Sequence, residues 1–296
     1  MNLKVYSAIF ILCLTWGYLW VPIKISLQNI PPFFFTSSRL LIGGLCLLIV
    51  QLGLGKSILP SWEDTPKLLI LSCLMCIGYY GLSTFGMQYV DSGLSAILVY
   101  TMPIMIGVLA HFFLGEQLNK QKIIGLVFGL AGIFIILFNQ LINFRFNLAL
   151  VGELLLVASA FFWAWSTVYM KKTFQDYDKI KLTIWQLLIG GGMLYVISYM
   201  TENLNKIVWN NPMTFVYLGY SSILGTALAF LLWNWIVSKI DASLASISIM
   251  SVPLIGILFG HIQLHEPITV NILVGTFFIC LGIIRCALKN NHHQKM

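Results

Sequence analysis

Charge is what this sequence has least of: Asp, Glu, Lys and Arg make up 9% of its 296 residues, and only 10 of them are acidic. Soluble domains use roughly 25% charged residues, so a water-exposed shell of ordinary size cannot be assembled from this chain. Grouped carboxylates, a Ser/His/Asp arrangement and a cluster of metal-ligand residues are all missing. That leaves no catalytic residue, no metal and no cofactor to assign, and an enzyme is not expected. The 17 Lys and Arg give a net charge of +7. They are scattered singly over short loops instead of gathered on one face, which argues against a nucleic-acid partner. Cysteine is sparse too. All six (Cys13, Cys46, Cys73, Cys76, Cys280 and Cys286) lie in apolar runs, where thiols behave as small hydrophobes. Cys73 and Cys76 form a C-x-x-C, but with no βαβ context and no second Cys/His pair the spacing does not read as a metal or redox site.

What is present is apolar: 59% hydrophobic residues and a mean hydropathy of +0.89. Nearly uncharged windows of about twenty residues recur along the whole length, each long enough to cross a hydrocarbon core as a helix. The reading is an all-α membrane protein whose solvent is the lipid bilayer. Apolar runs set against polar or Pro/Asn/Gly-containing breaks predict ten transmembrane helices, near 5–24, 33–52, 67–89, 92–113, 121–139, 148–170, 181–200, 212–238, 242–262 and 269–288. Met1 to Lys4 followed by the run to Val21 resembles a signal peptide. No small-x-small cleavage site follows, so the segment is read as a retained first helix. With a cytoplasmic N-terminus, thirteen of the seventeen Lys and Arg fall in inner loops and the tail, and only Lys24, Arg145 and Lys206 fall outside, with Arg39 inside a span. This bias places both termini in the cytoplasm.

A gapless shift of 150 positions brings Asp91 onto Asp241, Pro103 onto Pro253, His111 onto His261, Glu116 onto Glu266, Gly125 onto Gly275 and Gly132 onto Gly282. Upstream, a shift of 147 brings Trp16 onto Trp163, Lys24 onto Lys171 and Gly43–Gly44 onto Gly190–Gly191. Helices one to five thus match helices six to ten. The domains are 1–139 and 148–288, followed by a cytoplasmic tail at 289–296. Five is odd, so the second repeat enters the membrane from the opposite side, an inverted-topology arrangement typical of secondary transporters.

Several segments together resemble the EamA-type transporters of the drug/metabolite transporter superfamily. They are Leu14 to Gly17 (L-T-W-G), Pro32 to Arg39, Gly93 to Pro103, Leu114 to Glu116, Gly152–Glu153 ahead of Phe162 to Ala164, and Leu244 to Pro253. The resemblance covers essentially the whole chain. It implies a ten-helix carrier of the bacterial inner membrane, often an exporter of amino acids or other small metabolites, working by alternating access. One departure is Leu264-His-Glu266 in the second copy, where the first has Leu114-Gly-Glu116, which leaves the backbone of that second turn open.

The candidate site residues follow from depth and periodicity. Pro103 and Pro253 each lie eleven residues into their helices, about 17 Å deep at 1.5 Å per residue. Each removes a backbone hydrogen bond, and the pair reads as a hinge or gate. Arg39 is an intramembrane cation that needs a partner, either a solute's anionic group or a structural pairing; its repeat mate is Gln186. Tyr100 and Ser251 border the two prolines. Trp16, Trp163, Tyr79, Tyr80, Trp185, Trp233 and Asn234 are expected to line the same central cavity as substrate-binding residues. Glu116 and Glu266 sit at opposite mouths, as gates or as helix caps. Glu153, which matches the family's acidic position, and His111 and His261 are the candidates for coupling. The expected function is secondary transport, with export as the direction the resemblance implies, of a small organic solute such as an amino acid or related metabolite, by a monomer or homodimer. The alternatives are a flippase or efflux carrier for lipids or drug-like amphiphiles, or a scaffold or sensor that does not transport.

Overall fold

The computed structural model describes residues 3–115, 120–142, 147–240, 245, 249 and 251–287, and among them helices joined by short turns are the regular structure, with no strand. We number the helical segments α1 (Leu3–Ser26), α2 (Pro32–Gly53), α3 (Trp62–Gly86), α4 (Ser92–Leu114), α5 (Lys120–Ile142), α6 (Leu148–Thr173), α7 (Lys179–Thr201), α8 (Pro212–Lys239), α9 (Ser251–Leu264) and α10 (Val270–Ala287). Among the described residues seven of these, α1 to α4 and α6 to α8, are long and apolar enough to cross a membrane, and the apolar stretches of α5, α9 and α10 are shorter. Glu116, Arg145 and the 289–296 tail lie outside the described residues.

Local chemistry fixes the ends. Pro32 opens α2 and Pro212 opens α8, where a missing N–H costs nothing. Asn147, Asp178 and Asn211 cap α6, α7 and α8 by accepting hydrogen bonds from the amides of Leu150, of Ile180 and Lys181, and of Met213. Gly115 ends α4 with φ 71° and sends its amide to the Ala110 carbonyl. In the second copy His265 takes the matching position with φ 55°. The glycine-to-histidine change therefore preserves the turn, at the cost of holding a side chain in left-handed backbone.

Two helices carry wide, π-type turns: Cys73–Gly81 in α3 and Ile223–Leu228 in α8. A shift of 147 superposes Gly78 on Gly225, so the two irregularities are repeat-related. Helix α4 is broken: one helix runs Ser92–Val99, Tyr100 and Thr101 form a tight turn, and a second helix runs Met102–Leu114 with Pro103 in its first turn. The turn is closed by Thr101, whose amide (3.3 Å) and hydroxyl (2.8 Å) both donate to the Leu98 carbonyl. In α9 the described part begins at Ser251, with Pro253 again in its first turn and the Val252 amide bonded to Ile249.

The packing respects the repeat. Helix α1 lies against α8 and α9, and α6 lies against α3 and α4; α2 packs on its own mate α7, and α5 on its mate α10. Every one of these pairs maps onto another, or onto itself, when each helix is exchanged for the one five places on. Glycines set the closest approaches. A Cβ on Gly132 would stand 2.6 Å from the Gly275 carbonyl oxygen, and one on Gly282 would stand 2.5 Å from that of Gly125. The earlier glycine of α5 thus meets the later one of α10, so the two helices run antiparallel. Gly44 against Leu187–Leu188, and Gly191 against Leu40–Leu41, give the same sense for α2 and α7. Small residues let membrane helices approach closely. The outer surface carries apolar side chains such as Phe10, Ile49, Val127, Tyr199 and Phe277, all exposed, which suits contact with lipid.

Candidate functional site

The helix break, the first π segment and the contact of Trp16 on α1 with Trp163 on α6 together enclose a cavity of about 30 Å³. Trp16 from α1, Arg39 from α2, Tyr79 and Tyr80 from α3, Tyr100 from the α4 turn and Trp163 from α6 line it. Six of the expected substrate-binding residues are therefore brought together. The aromatic rings contact one another directly: Tyr79 meets Trp163 edge-on at 4.3 Å between centroids, Tyr80 lies 4.8 Å from Tyr79, and Trp16 meets Trp163 at 5.5 Å. At this size the cavity holds a water or two, so this conformation is closed around it.

Arg39 is 1% exposed. Its Nε donates to the Thr226 hydroxyl at 3.3 Å, and its guanidinium carbon lies 4.7 Å from the centre of the Tyr80 ring. Among the described residues no carboxylate stands within ion-pair distance of it, and no acidic side chain lines the cavity. A cation–π contact contributes about 0.5–2 kcal/mol and a hydrogen bond from a charged group about 1.5–3 kcal/mol, against several kcal/mol to desolvate a cation. Among the described residues the cation thus has no counter-charge.

The two repeat-related tryptophans differ. Trp16 donates from its indole Nε1 to the Gly225 carbonyl in the π segment of α8, at 3.2 Å. The equivalent acceptor for Trp163 is the Gly78 carbonyl in the π segment of α3, yet the Trp163 Nε1 is buried with no hydrogen-bond partner among the described residues.

Over one end of the cavity the chain is held shut. Lys24, near the end of α1, donates from its ammonium to the carbonyls of Met87 (2.8 Å), Val90 (2.7 Å) and Gln88 (3.4 Å), and Met87 itself lines the cavity. Beside it the Glu266 carboxylate accepts from the Ser92 amide (2.7 Å), the Ser92 hydroxyl (2.8 Å) and the Gly93 amide (2.9 Å), joining the α9–α10 turn to the start of α4. His261 Nδ1 lies 2.9 Å from the Glu266 backbone carbonyl and steadies that turn. At the same end Glu202, just past α7, accepts from the amides of Phe33 and Phe34 at 2.8 and 2.9 Å, and so ties α7 to the start of α2. Asp91 lies within this charge group, outside the helical spans. Burial pushes its carboxyl above the usual range, Glu266 nearby adds to that, and Lys24 offsets part of it.

Other expected residues are placed elsewhere. Trp185 donates to the Ile58 carbonyl at 2.6 Å and anchors the α2–α3 connection. Asn234 donates to the Thr183 hydroxyl at 2.6 Å, bracing α8 on α7. Gln186 is buried away from the cavity, and its carbonyl lies 3.4 Å from the Cys76 thiol. Trp233 forms a second layer behind Trp16 and Trp163, at 5.8 and 6.3 Å. Ser251 is exposed at the start of α9. Glu153 is buried early in α6, where Gly152 meets Gly86, and His111 stands at the far end of α4 against Phe112. Sequence reasoning missed Trp20, Ser83, Thr84 and Met102 among the lining residues, and it missed Glu202 and the inward turn of Lys24. The spacing of Ser83 and Thr84 from Tyr80, at three and four residues, was the signal available for those two.

An all-helical, multi-pass bundle with a polar, aromatic-lined cavity at its centre defines a membrane transporter. The chain belongs to the EamA-like transporter family, whose pattern it matches twice, over residues 3–138 and 150–286. It is 39% identical over 280 residues to the uncharacterized transporter YoaV of Bacillus subtilis (strain 168), covering 95% of each chain. It is 35% identical to the uncharacterized transporter YvbV of the same organism, over 92% of this chain and 88% of that one. One solved crystal structure matches over 100% of both chains with a TM-score of 0.73 at 19% identity, a likeness of fold alone.

Proposed function

We propose that this transporter carries a small organic solute, such as an amino acid or related metabolite, outward across the bacterial inner membrane. It does so by alternating access between two five-helix repeats of opposite topology, with ten membrane crossings and both termini in the cytoplasm. The antiparallel packing of α5 on α10 and of α2 on α7 supports the inversion. The observation that carries the mechanism is the unequal state of two equivalent parts: Trp16 is bonded to the π segment of the other repeat, and Trp163 is not. Alternating access requires such an inequality, because the two faces of the membrane are exchanged when the repeats exchange conformations. The Lys24, Glu266 and Glu202 contacts are the closed gate at one face in this state, and Pro103 and Pro253 allow α4 and α9 to bend.

Two measurements test this. Purified protein in proteoliposomes is expected to give saturable flux for at least one member of a broad amino-acid and metabolite panel; flux that never exceeds that of empty liposomes refutes transport of this class. Single cysteines placed beside Glu116 and beside Glu266 are expected to label from opposite sides of the membrane with an impermeant maleimide. Labelling of both from one side refutes the inversion.

A further inference from the structure

We infer that the cavity selects solutes bearing a negative charge next to a flat apolar body, an aryl or arylalkyl carboxylate in chemical class, over zwitterions and cations of the same shape. The inference rests on the reading of this cavity as the solute site and deepens it. Three observations meet there. Arg39 is 1% exposed and lines the cavity, and its contacts with the Thr226 hydroxyl and the Tyr80 ring face are with neutral groups. Trp163 is 3% exposed, lines the same cavity, and has an indole N–H without an acceptor among the described residues. Among the described residues no acidic side chain lines the cavity to receive an ammonium group.

A guanidinium supplies a planar fork of donors that fits a carboxylate, and charge-assisted bonds of this kind are the stronger class. An indole N–H donates and never accepts. Both groups therefore ask for an acceptor carrying negative charge. The remaining wall is aromatic: Tyr79 bridges from Trp163 to Tyr80, which in turn carries Arg39 on its face. A flat apolar body next to the anionic group matches this wall. The repeat sharpens the assignment. Gln186, the mate of Arg39, lies outside the cavity and is uncharged, so the anion has one seat and not two.

The test uses full-length protein in detergent and four probes of one shape: 3-phenylpropionate, its neutral amide, phenylalanine, and 2-phenylethylamine. Ligand binding to the folded form raises the melting temperature. The carboxylate is expected to raise it most and to bind roughly tenfold or more tightly than the amide, the discrimination that a lost charge-assisted bond produces. Phenylalanine should fall between them, and the amine should produce no shift. Trp163→Phe keeps an aromatic ring and removes the donor, so it should weaken the carboxylate severalfold more than the amide. Arg39→Gln should erase the preference; should that variant not fold, the wild-type ranking and Trp163→Phe decide. Equal binding of carboxylate and amide, or tighter binding of the amine, overturns the inference. Selective carboxylate binding without saturable flux in proteoliposomes would leave the site standing and refute transport. Saturable flux of cationic or neutral solutes with no anion preference would do the reverse.

Discussion

The Glu266 contact distinguishes a gate from a mere helix cap. Its carboxylate receives two backbone amides of the first turn of α4 and one hydroxyl, at 2.7–2.9 Å. A hydrogen bond to a charged group contributes about 1.5–3 kcal/mol, and the helix N-terminus adds about 0.3–1 kcal/mol. The partial exposure of Glu266 on the rim places each near its lower bound. Glu266→Gln keeps the shape and one acceptor oxygen but turns an NH2 group toward a donor, so it should cost about 2–3 kcal/mol of latching. That shifts the balance toward the unlatched end roughly 30- to 150-fold. The reporter is Ser83→Cys, on the cavity wall beneath the latch, in a chain otherwise free of cysteine. Its labelling rate with an impermeant maleimide should rise at least about tenfold in Glu266→Gln. Gly260→Ala provides an independent perturbation: the new methyl would press on the Glu266 carboxylate and come within 2.8 Å of the Ser92 hydroxyl, so labelling should rise without any change of charge. Gly192→Ala, which has open space at its Cβ, should leave the rate alone. A lowered melting temperature with unchanged labelling in both Glu266→Gln and Gly260→Ala would make Glu266 a cap and refute the latch.

Three further outcomes are expected. His265→Gly relieves left-handed backbone at φ 55° and should stabilise the protein by about 0.5–1 kcal/mol, read as a higher midpoint of thermal unfolding. Gly132→Ala and Gly275→Ala each drive a methyl to within 2.6–2.8 Å of the other's backbone carbonyl across the α5–α10 contact, so each should cost about 1–3 kcal/mol by the same assay. Asp91 holds its proton more tightly in the latched state than in water, because of burial first and Glu266 second, with Lys24 opposing. Its contribution to latching is therefore fully present below the ordinary Asp range and is lost as pH rises through the raised value. Ser83→Cys labelling should climb over that interval, and Asp91→Asn should abolish the climb.

Much of this was legible because a repeat is a pattern of identities, and identities survive in a sequence even where faces do not. Trp16 with Trp163, Pro103 with Pro253, and Gly132 with Gly282 each announced two repeats, and the family pattern matches the chain twice. The cavity was legible to the extent that depth decides lining, as for Arg39, Tyr79, Tyr80 and Tyr100. Where the face decides, sequence reasoning failed. Trp185 and Asn234 have suitable depth and chemistry but point at the α2–α3 connection and at α7. The π segments rotate every residue after them relative to a regular helix, and no periodicity count anticipates that rotation. Lys24 was counted as a loop charge because lysine at a helix end ordinarily snorkels to water; three converging carbonyls hold it inward instead.

The tryptophan pair shows how a chain can be nearly symmetric and still have a direction. Breaking the Trp16–Gly225 bond and forming its mate between Trp163 and Gly78 exchanges one hydrogen bond for an equivalent one, so on this account the two states differ little in energy from the backbone and indoles alone. Such a near balance is what a carrier needs, since a ligand can move an equilibrium only by its differential affinity for the two states. The difference between the repeats then rests on the residues that break the symmetry. Arg39 against Gln186 is the largest of these, a full charge against none. An anion seated on Arg39 compensates a cation that has no counterpart in the other repeat, and so it acts on one state more than on its mirror. The residue that binds the solute and the residue that makes the two states unequal are, on this reading, the same one.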